Sequence, residues 1–221
     1  MKKKFTTIVY AALCSLGIFV SVDGYSQQQE ASGELRMTPK FGIKGGLNLS
    51  NLYITDVQDE NVKLGGHFGV FAKLPITTGV SIMPELLYTN KGTKATYNNA
   101  IQGSGEYRFN LNYIELPLSF VFNVVKNFNI HAGGYASYLT SANVKNLHDG
   151  NINGVTNLNA ENFNRADFGL LGGIGLDIDN VTIGARYSYG LRQVGQPGSL
   201  AGELTKDSKN SNLSMYIGIA F

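Results

Sequence analysis

The sequence predicts an all-β chain: an eight-stranded antiparallel up-and-down transmembrane β-barrel. Three observations carry that reading. An apolar leader opens the chain, eight segments of about ten residues then alternate in polarity as tilted membrane-crossing strands do, and the connections between them alternate strictly between tight and long.

The leader comes first. Lys2, Lys3 and Lys4 precede an apolar run from Phe5 to about Val22, and the chain turns polar at Asp23. That order is that of a secretory signal peptide, expected over residues 1–26 with Gln27 as the new N-terminus. Cys14 sits inside the apolar run behind Leu13, which does not fit a lipoprotein signal, and it is the chain's one cysteine. Its removal leaves neither disulfides nor thiolate chemistry. The leader also takes three lysines and Asp23, so the formal charge of +2 falls to zero in the mature chain. No basic face remains to attract nucleic acid.

Residues 27–38 read as a polar, flexible lead-in, and residues 39–221 as the barrel domain. No later segment approaches the roughly 18 consecutive apolar residues of a membrane-spanning helix. Lys40 to Ser50 sets Phe41, Ile43, Leu47 and Leu49 against Lys44, Asn48 and Ser50, and Leu64 to Leu74 sets Phe68, Val70 and Ala72 against His67, Phe71 and Lys73. In Gly79 to Lys91 the apolar set Val80, Ile82, Leu86 and Tyr88 opposes Ser81, Glu85, Thr89 and Lys91. Pro84 cannot donate to a ladder and predicts a local bulge there.

Glu106 to Phe122 alternates Ile114, Leu116, Leu118 and Phe120 with Tyr113, Glu115 and Ser119, and it is long enough to project beyond a bilayer. Asn129 to Leu139 opposes Ile130, Ala132 and Tyr138 to His131, Tyr135 and Ser137. Asp167 to Asp177 opposes Phe168, Leu170, Ile174 and Leu176 to the two aspartates. Val181 to Gly190 opposes Ile183, Ala185, Tyr187 and Tyr189 to Thr182, Arg186 and Ser188. The last segment, Asn210 to Phe221, opposes Leu213, Met215, Ile217, Ile219 and Phe221 to Asn212, Ser214 and Tyr216.

Pro75 to Thr78, Val125 to Phe128 and Ile178 to Asn180 are tight connections. Asn51 to Lys63, Gly92 to Gly105, Thr140 to Ala166 and Leu191 to Lys209 are long and polar. Short periplasmic turns and long outer loops produce this asymmetry. The outward aromatics then fall into two belts, Phe41, Phe120 and Phe221 at the periplasmic end and Tyr88, Tyr138, Phe168 and Tyr189 at the outer end, where membrane interfaces favour them.

The runs FGIKGGLNLSNL (Phe41 to Leu52), MPELLYTNKG (Met83 to Gly92) and NYIELPLSF (Asn112 to Phe120) resemble the PorT-like outer-membrane β-barrel family of Bacteroidetes-type bacteria. The resemblance covers about Pro39 to Phe221. It implies an outer-membrane barrel and an envelope role connected in some members with protein secretion, and it fixes little else, because fold does not determine function. The terminal Phe221 resembles the C-terminal signal read by the outer-membrane assembly machinery. Expected partners are therefore outer-membrane lipid, that machinery and an envelope protein; no cofactor is expected.

Eight strands leave an interior that side chains fill. Lys44, Glu85, Lys91, Glu115 and Arg186 are expected inside it as a structural charge network, with Lys44 and Arg186 facing Glu85 and Glu115, and Lys91 nearer the outer end. His67 and His131 also point inward, and with His148 they lack metal-site spacing. Asp56, Asp59 and Glu60, like Asp149, match no Ca²⁺ loop. No outward Ser and His pair sits on neighbouring strands, so a lipid-modifying enzyme is not indicated. The glycine pairs at 45–46, 65–66, 133–134 and 172–173 lack a following helix and read as points of close strand approach. Three functions stay open: a structural or interaction protein of the envelope, a narrow channel or transporter, and a soluble lipocalin-like barrel holding an apolar ligand inside.

Overall fold

A computed structural model describes residues 38–53, 62–99, 103–148, 151–157, 164–195 and 208–221. The leader, Asp56, Asp59, Glu60 and Asp149 lie outside the described residues, as does the side chain of His148. Nine strands are present among them: β1 (Lys40–Tyr53), β2 (Lys63–Pro75), β3 (Val80–Asn99), β4 (Gly103–Val125), β5 (Phe128–His148), β6 (Asn151–Asn157), β7 (Ala166–Ile178), β8 (Val181–Gln193) and β9 (Lys209–Ala220). All pairings are antiparallel. Among the described residues no helix is long and apolar enough to cross a membrane.

Eight of the strands form a closed ring in the order β1, β2, β3, β4, β5, β7, β8, β9, with β9 returning to β1. The closing seam runs from Gly42 opposite Ala220 to Tyr53 opposite Lys209, and the Phe221 amide donates to the Phe41 carbonyl at 2.8 Å. Alternation fixes the faces. Ile43, Phe68, Leu116, Leu170 and Ile217 stand outside and exposed, whereas Lys44, Glu85, Tyr113, His131 and Arg186 are buried in the lumen. A soluble ligand-binding barrel needs the reverse arrangement.

The ring is uneven in height. β1, β2, β7, β8 and β9 have 12 to 14 residues, but β3, β4 and β5 have 20, 23 and 21. At the end away from the tight turns the three long strands rise above the rest, and β6 pairs with β5 to widen them into a four-stranded sheet. This corrects the expected loops. Most of Gly92 to Gly105 is β-hairpin, and Thr140 to Ala166 contains the upper part of β5 and the whole of β6. The raised part begins at a bulge: Tyr113 faces Leu139 and Asn112 faces Ser141, leaving Thr140 as an extra residue whose hydroxyl donates to the Asn112 carbonyl at 2.9 Å. An added residue bends and twists a strand, and it sits where β7 stops pairing with β5, at Tyr138 opposite Ala166.

Pro84 makes no bulge. Ladder pairing lapses beside it, but the register resumes unchanged on both flanks, with Phe71 opposite Glu85 and Leu74 opposite Ile82, and with Pro84 opposite Leu118 and Leu87 opposite Glu115. The missing donor costs a rung without adding a residue.

In each glycine pair the lumen-facing member is the one without room for a side chain. A Cβ at Gly173 would lie 2.3 Å from the Ala185 carbonyl oxygen and 2.6 Å from His131 Nε2, whereas one at Gly172 meets nothing closer than 3.9 Å. Gly173→Ala should therefore lower stability by about 1–3 kcal/mol through overpacking, with Gly172→Ala close to wild type. Urea unfolding of the refolded barrel measures both, and equal losses would remove close approach as the reason for the pair.

Candidate functional site

The lumen is the site that the strands build. Inward residues from all eight ring strands converge there, and in a ring of eight each strand has one directly opposite: β3 faces β8, β2 faces β7 and β4 faces β9. Glu85 on β3 accepts hydrogen bonds from Arg186 Nη1 at 3.1 Å and Nη2 at 2.5 Å, so this fork crosses the full width of the lumen from β8. Lys44 Nζ on β1 adds a third bond to Glu85 at 2.9 Å. A bidentate guanidinium–carboxylate pair is the strongest ordinary geometry for such contacts.

Two further ties join opposite strands. Toward the tight-turn end Lys73 Nζ on β2 meets Asp177 Oδ2 on β7 at 2.8 Å. Asp177 also accepts from Asn129 at 2.9 Å and Thr182 at 2.6 Å. Toward the long-strand end Asn210 on β9 donates to the Tyr113 hydroxyl on β4 at 3.4 Å and to Asp167 Oδ2 at 2.8 Å, and Tyr135 donates to the same carboxylate at 3.1 Å.

Aromatic rings fill the space between these charges. Lys44 Nζ stands 3.7 Å over the Tyr216 ring, and Lys91 Nζ stands 4.6 Å over the Tyr135 ring. Such cation–π contacts strengthen when water is excluded. A cavity of about 20 Å³ lined by Lys44, Lys73, Asn129, Asp177 and Tyr216 has room for about one water.

All five side chains expected in the lumen are buried there, but in two groups. Lys44 and Arg186 both serve Glu85. Glu115 bonds to Lys91 instead of to them, which corrects the expected single network. Lys91 lies only one strand away, on β3, with Leu87 directly opposite Glu115; a long lysine reaches up one strand more easily than Arg186 reaches across the barrel at a second level. His67 bonds to Asn48 at 2.8 Å, and His131 Nε2 accepts from Arg186 Nε at 3.4 Å. Among the described residues no group of three His, Cys, Asp or Glu is placed to hold a metal ion.

Sequence reasoning placed Lys73, Asp167 and Asp177 on the inward face but not in the network. Asn210 and Tyr113 went unrecognised as a pair because neutral polar residues give no charge signal. Asp167 Oδ1 and Ser137 Oγ, on residues directly opposite in register, have no hydrogen-bond partner among the described residues.

A closed antiparallel ring with an apolar exterior and a paired-charge interior is a membrane β-barrel, since only closure satisfies every backbone group in hydrocarbon. The chain belongs to the outer membrane protein β-barrel domain family, whose model matches residues 25–196, and it resides in the outer membrane with its outward faces against lipid. β9, which closes the ring, lies beyond the matched residues. No curated protein matches the chain. Among solved structures it is similar to Ail, the attachment invasion locus protein of Yersinia pestis, in complex with the heparin analogue sucrose octasulfate, at 12% identity and a TM-score of 0.49 over 84% of this chain and 100% of that one. It is also similar to Neisserial surface protein A, at 16% identity and 0.49 over 82% and 97%. A third is the N-terminal β-barrel domain of Pseudomonas aeruginosa OprF, at 10% identity and 0.32 over 83% and 100%.

Breaking a buried pair by removing one partner leaves an uncompensated charge and costs about 3–5 kcal/mol. Glu85→Ala strands two cations at once, so it should destabilise the refolded barrel by that amount and by more than Glu115→Ala, which strands one. Thermal and urea unfolding of the two variants measure the difference; equal effects would deny Glu85 its central place.

Proposed function

We infer that the protein is a non-enzymatic envelope protein that works by protein interaction at the outer surface, in the manner of PorT-like barrels connected with secretion or surface assembly. The observation that carries this reading is the four-stranded sheet of β3 to β6, raised above a lumen whose charges are tied to one another. Residues that would line a pore are occupied by pairing across it, and the Lys44, Glu85, Lys91, Glu115 and Arg186 groups act as a structural plug. The chain has instead extended the strands that leave the membrane. β6 bonds on one side only among the described residues, and an open strand edge of this kind can add a strand from a partner.

A photo-crosslinking residue at Gly154 in β6 should capture one envelope protein in intact cells, while the same residue at lipid-facing Leu170 captures none. Repeated failure at Gly154, or the same product from both positions, would remove this surface as the site of interaction. Planar-bilayer recording tests the channel alternative: little or no steady current is expected, and a large one would replace the interaction reading with transport.

Biogenesis belongs to the same proposal. The leader is cleaved before Gln27, and the assembly machinery reads β9 through Phe221, whose side chain is 80% exposed at the end of the closing strand. N-terminal sequencing of the mature protein should begin at or near Gln27, and deleting Phe221 should reduce the heat-modifiable population on gels. Unchanged yield and migration would show that the last residue is not required.

A further inference from the structure

The lipid-facing wall is not evenly filled. On the outside of β1, β9, β8 and β7, an open groove of about 570 Å³ runs between two rows of outward side chains. Leu47, Met215, Ala185 and Ile174, paired in series across the strands, form its upper lip. Gly45, Ile217, Ile183, Leu176 and Phe128, also paired in series, form the lower one. Between them Gly46, Gly184 and Gly175 belong to the inward face and reach the groove only with main chain, which makes its floor. Gly45 and Ala185 keep the lips low, so the volume stays open to the bilayer.

The slope of the groove selects its occupant. Its lower lip starts at Phe128, the first residue of β5, and crosses β7 and β8 two residues from their ends at Ile178 and Val181. It reaches Ile217 and Gly45 four residues from Phe221 and Phe41. The groove therefore climbs from the tight-turn end to about 10 Å above it, at about 3.3 Å per residue on strands tilted near 40°. Four strand spacings make it about 19 Å long. A path of that length, starting at the interface and stopping short of the midplane of a hydrocarbon core about 30 Å thick, is the path of one acyl chain. It enters from the leaflet at the tight-turn end, which faces the periplasm. Charge lies at the mouth. Lys126 is exposed in the turn before Phe128, and the Asn127 carbonyl holds that turn against β7 by accepting from the Asp177 amide at 2.8 Å. At the next turn Lys40 Nζ reaches the carbonyl of exposed Asp179 at 3.5 Å.

We propose that this groove is a binding site for one acyl chain of a periplasmic-leaflet phospholipid, with the lipid phosphate meeting Lys126 at the mouth. This is more than the contact that the whole exterior makes with lipid. Lipid tails are as apolar as the wall, so no hydrophobic gain distinguishes one place on it from another, and close packing decides. Dispersion is lost once surfaces part by a fraction of an ångström, and a chain lying between two lips touches protein on three sides where a convex wall offers one. The inference rests on the outer-membrane location and not on any protein partner, so it stands or falls apart from the crosslinking at Gly154.

Native mass spectrometry of the full-length refolded barrel decides the question with two probes, dipalmitoyl and dihexanoyl phosphatidylethanolamine, which share a headgroup and differ in chain length. Wild type should retain the dipalmitoyl lipid and release the dihexanoyl one. Gly45→Leu with Ala185→Phe fills the groove from outside; a Cβ at Gly45 meets nothing closer than 3.5 Å, so the double variant should keep heat-modifiable migration and lose the retained lipid. Should it not fold, Ala185→Leu alone narrows the groove and should weaken retention. Ala136→Phe adds similar bulk elsewhere on the lipid face, between Leu116 and Phe168, and should leave retention unchanged. Lys126→Gln removes one cation near the membrane surface, so retention should fall on the order of fivefold. Undiminished retention when the groove is filled, an equal loss in Ala136→Phe, or equal retention of the dihexanoyl lipid would overturn the acyl-chain site, and undiminished retention in Lys126→Gln would overturn the placing of the phosphate.

Discussion

Closure of the hydrogen-bonded sheet is the constraint on which everything else in this chain depends. In hydrocarbon no water replaces a missing rung, so a spanning sheet with an open edge is not viable. β1 and β9, the two ends of the domain, must therefore pair, and they do so along nearly their whole length. Closing at eight strands sets the diameter. That diameter is small enough for an arginine on β8 to reach a glutamate on β3. The lumen chemistry follows from this width: with more strands, Glu85 and Arg186 would both face water.

Charges inside a narrow barrel cost desolvation, and pairing offsets that cost only where geometry is good. Lys73 with Asp177, Arg186 with Glu85, and Asn210 with Tyr113 meet across the ring at three heights. Each connects strands that share no ladder, so together they restrain the barrel against flattening in a way that backbone rungs between neighbours do not. They also fix register. Sliding β8 by two residues past β9 keeps every lipid-facing residue outside, and the apolar pattern alone permits it. Such a slip would carry Arg186 away from Glu85. The polar interior thus supplies specificity that the uniformly apolar exterior lacks.

The lipid-crossing parts were legible because a period of two is a local property. Ile43, Leu47 and Leu49 against Lys44, Asn48 and Ser50 read as a strand without any knowledge of their neighbours, and the tight turns count the strands. The raised sheet was hidden for the same reason. Once both faces meet water, residues such as Thr93, Lys94 and Ala95 need not alternate, and β6, with the sequence Asn-Ile-Asn-Gly-Val-Thr-Asn, has the composition of a loop. Partner choice within the lumen was only partly legible. Alternation says that Glu115 points inward, but whether it meets Arg186 or Lys91 depends on the stagger of the strands around the ring, which no single strand records. Pro84 misled because its missing donor is a certainty of sequence, while the response of the sheet, an absent rung or an added residue, is a matter of its neighbours.

Uneven strand length is where closure and function meet. A barrel needs about the same height all round to cross a bilayer, and β1, β2, β7, β8 and β9 stop near it. Residues added to β3, β4 and β5 beyond that height contribute nothing to spanning, and they expose strand edges that the ring had eliminated. Thr140 marks the changeover, since its bulge lies at the level where β5 loses β7 as a neighbour. Below it each strand has two partners and the inward charges are matched inside the lumen. Above it the sheet has free edges, at β3 on one side and β6 on the other among the described residues. The open backbone edges of the described strands are thus gathered in the raised sheet, whereas the buried side-chain atoms left without a hydrogen bond among the described residues, Asp167 Oδ1 and Ser137 Oγ with them, lie in the lumen below.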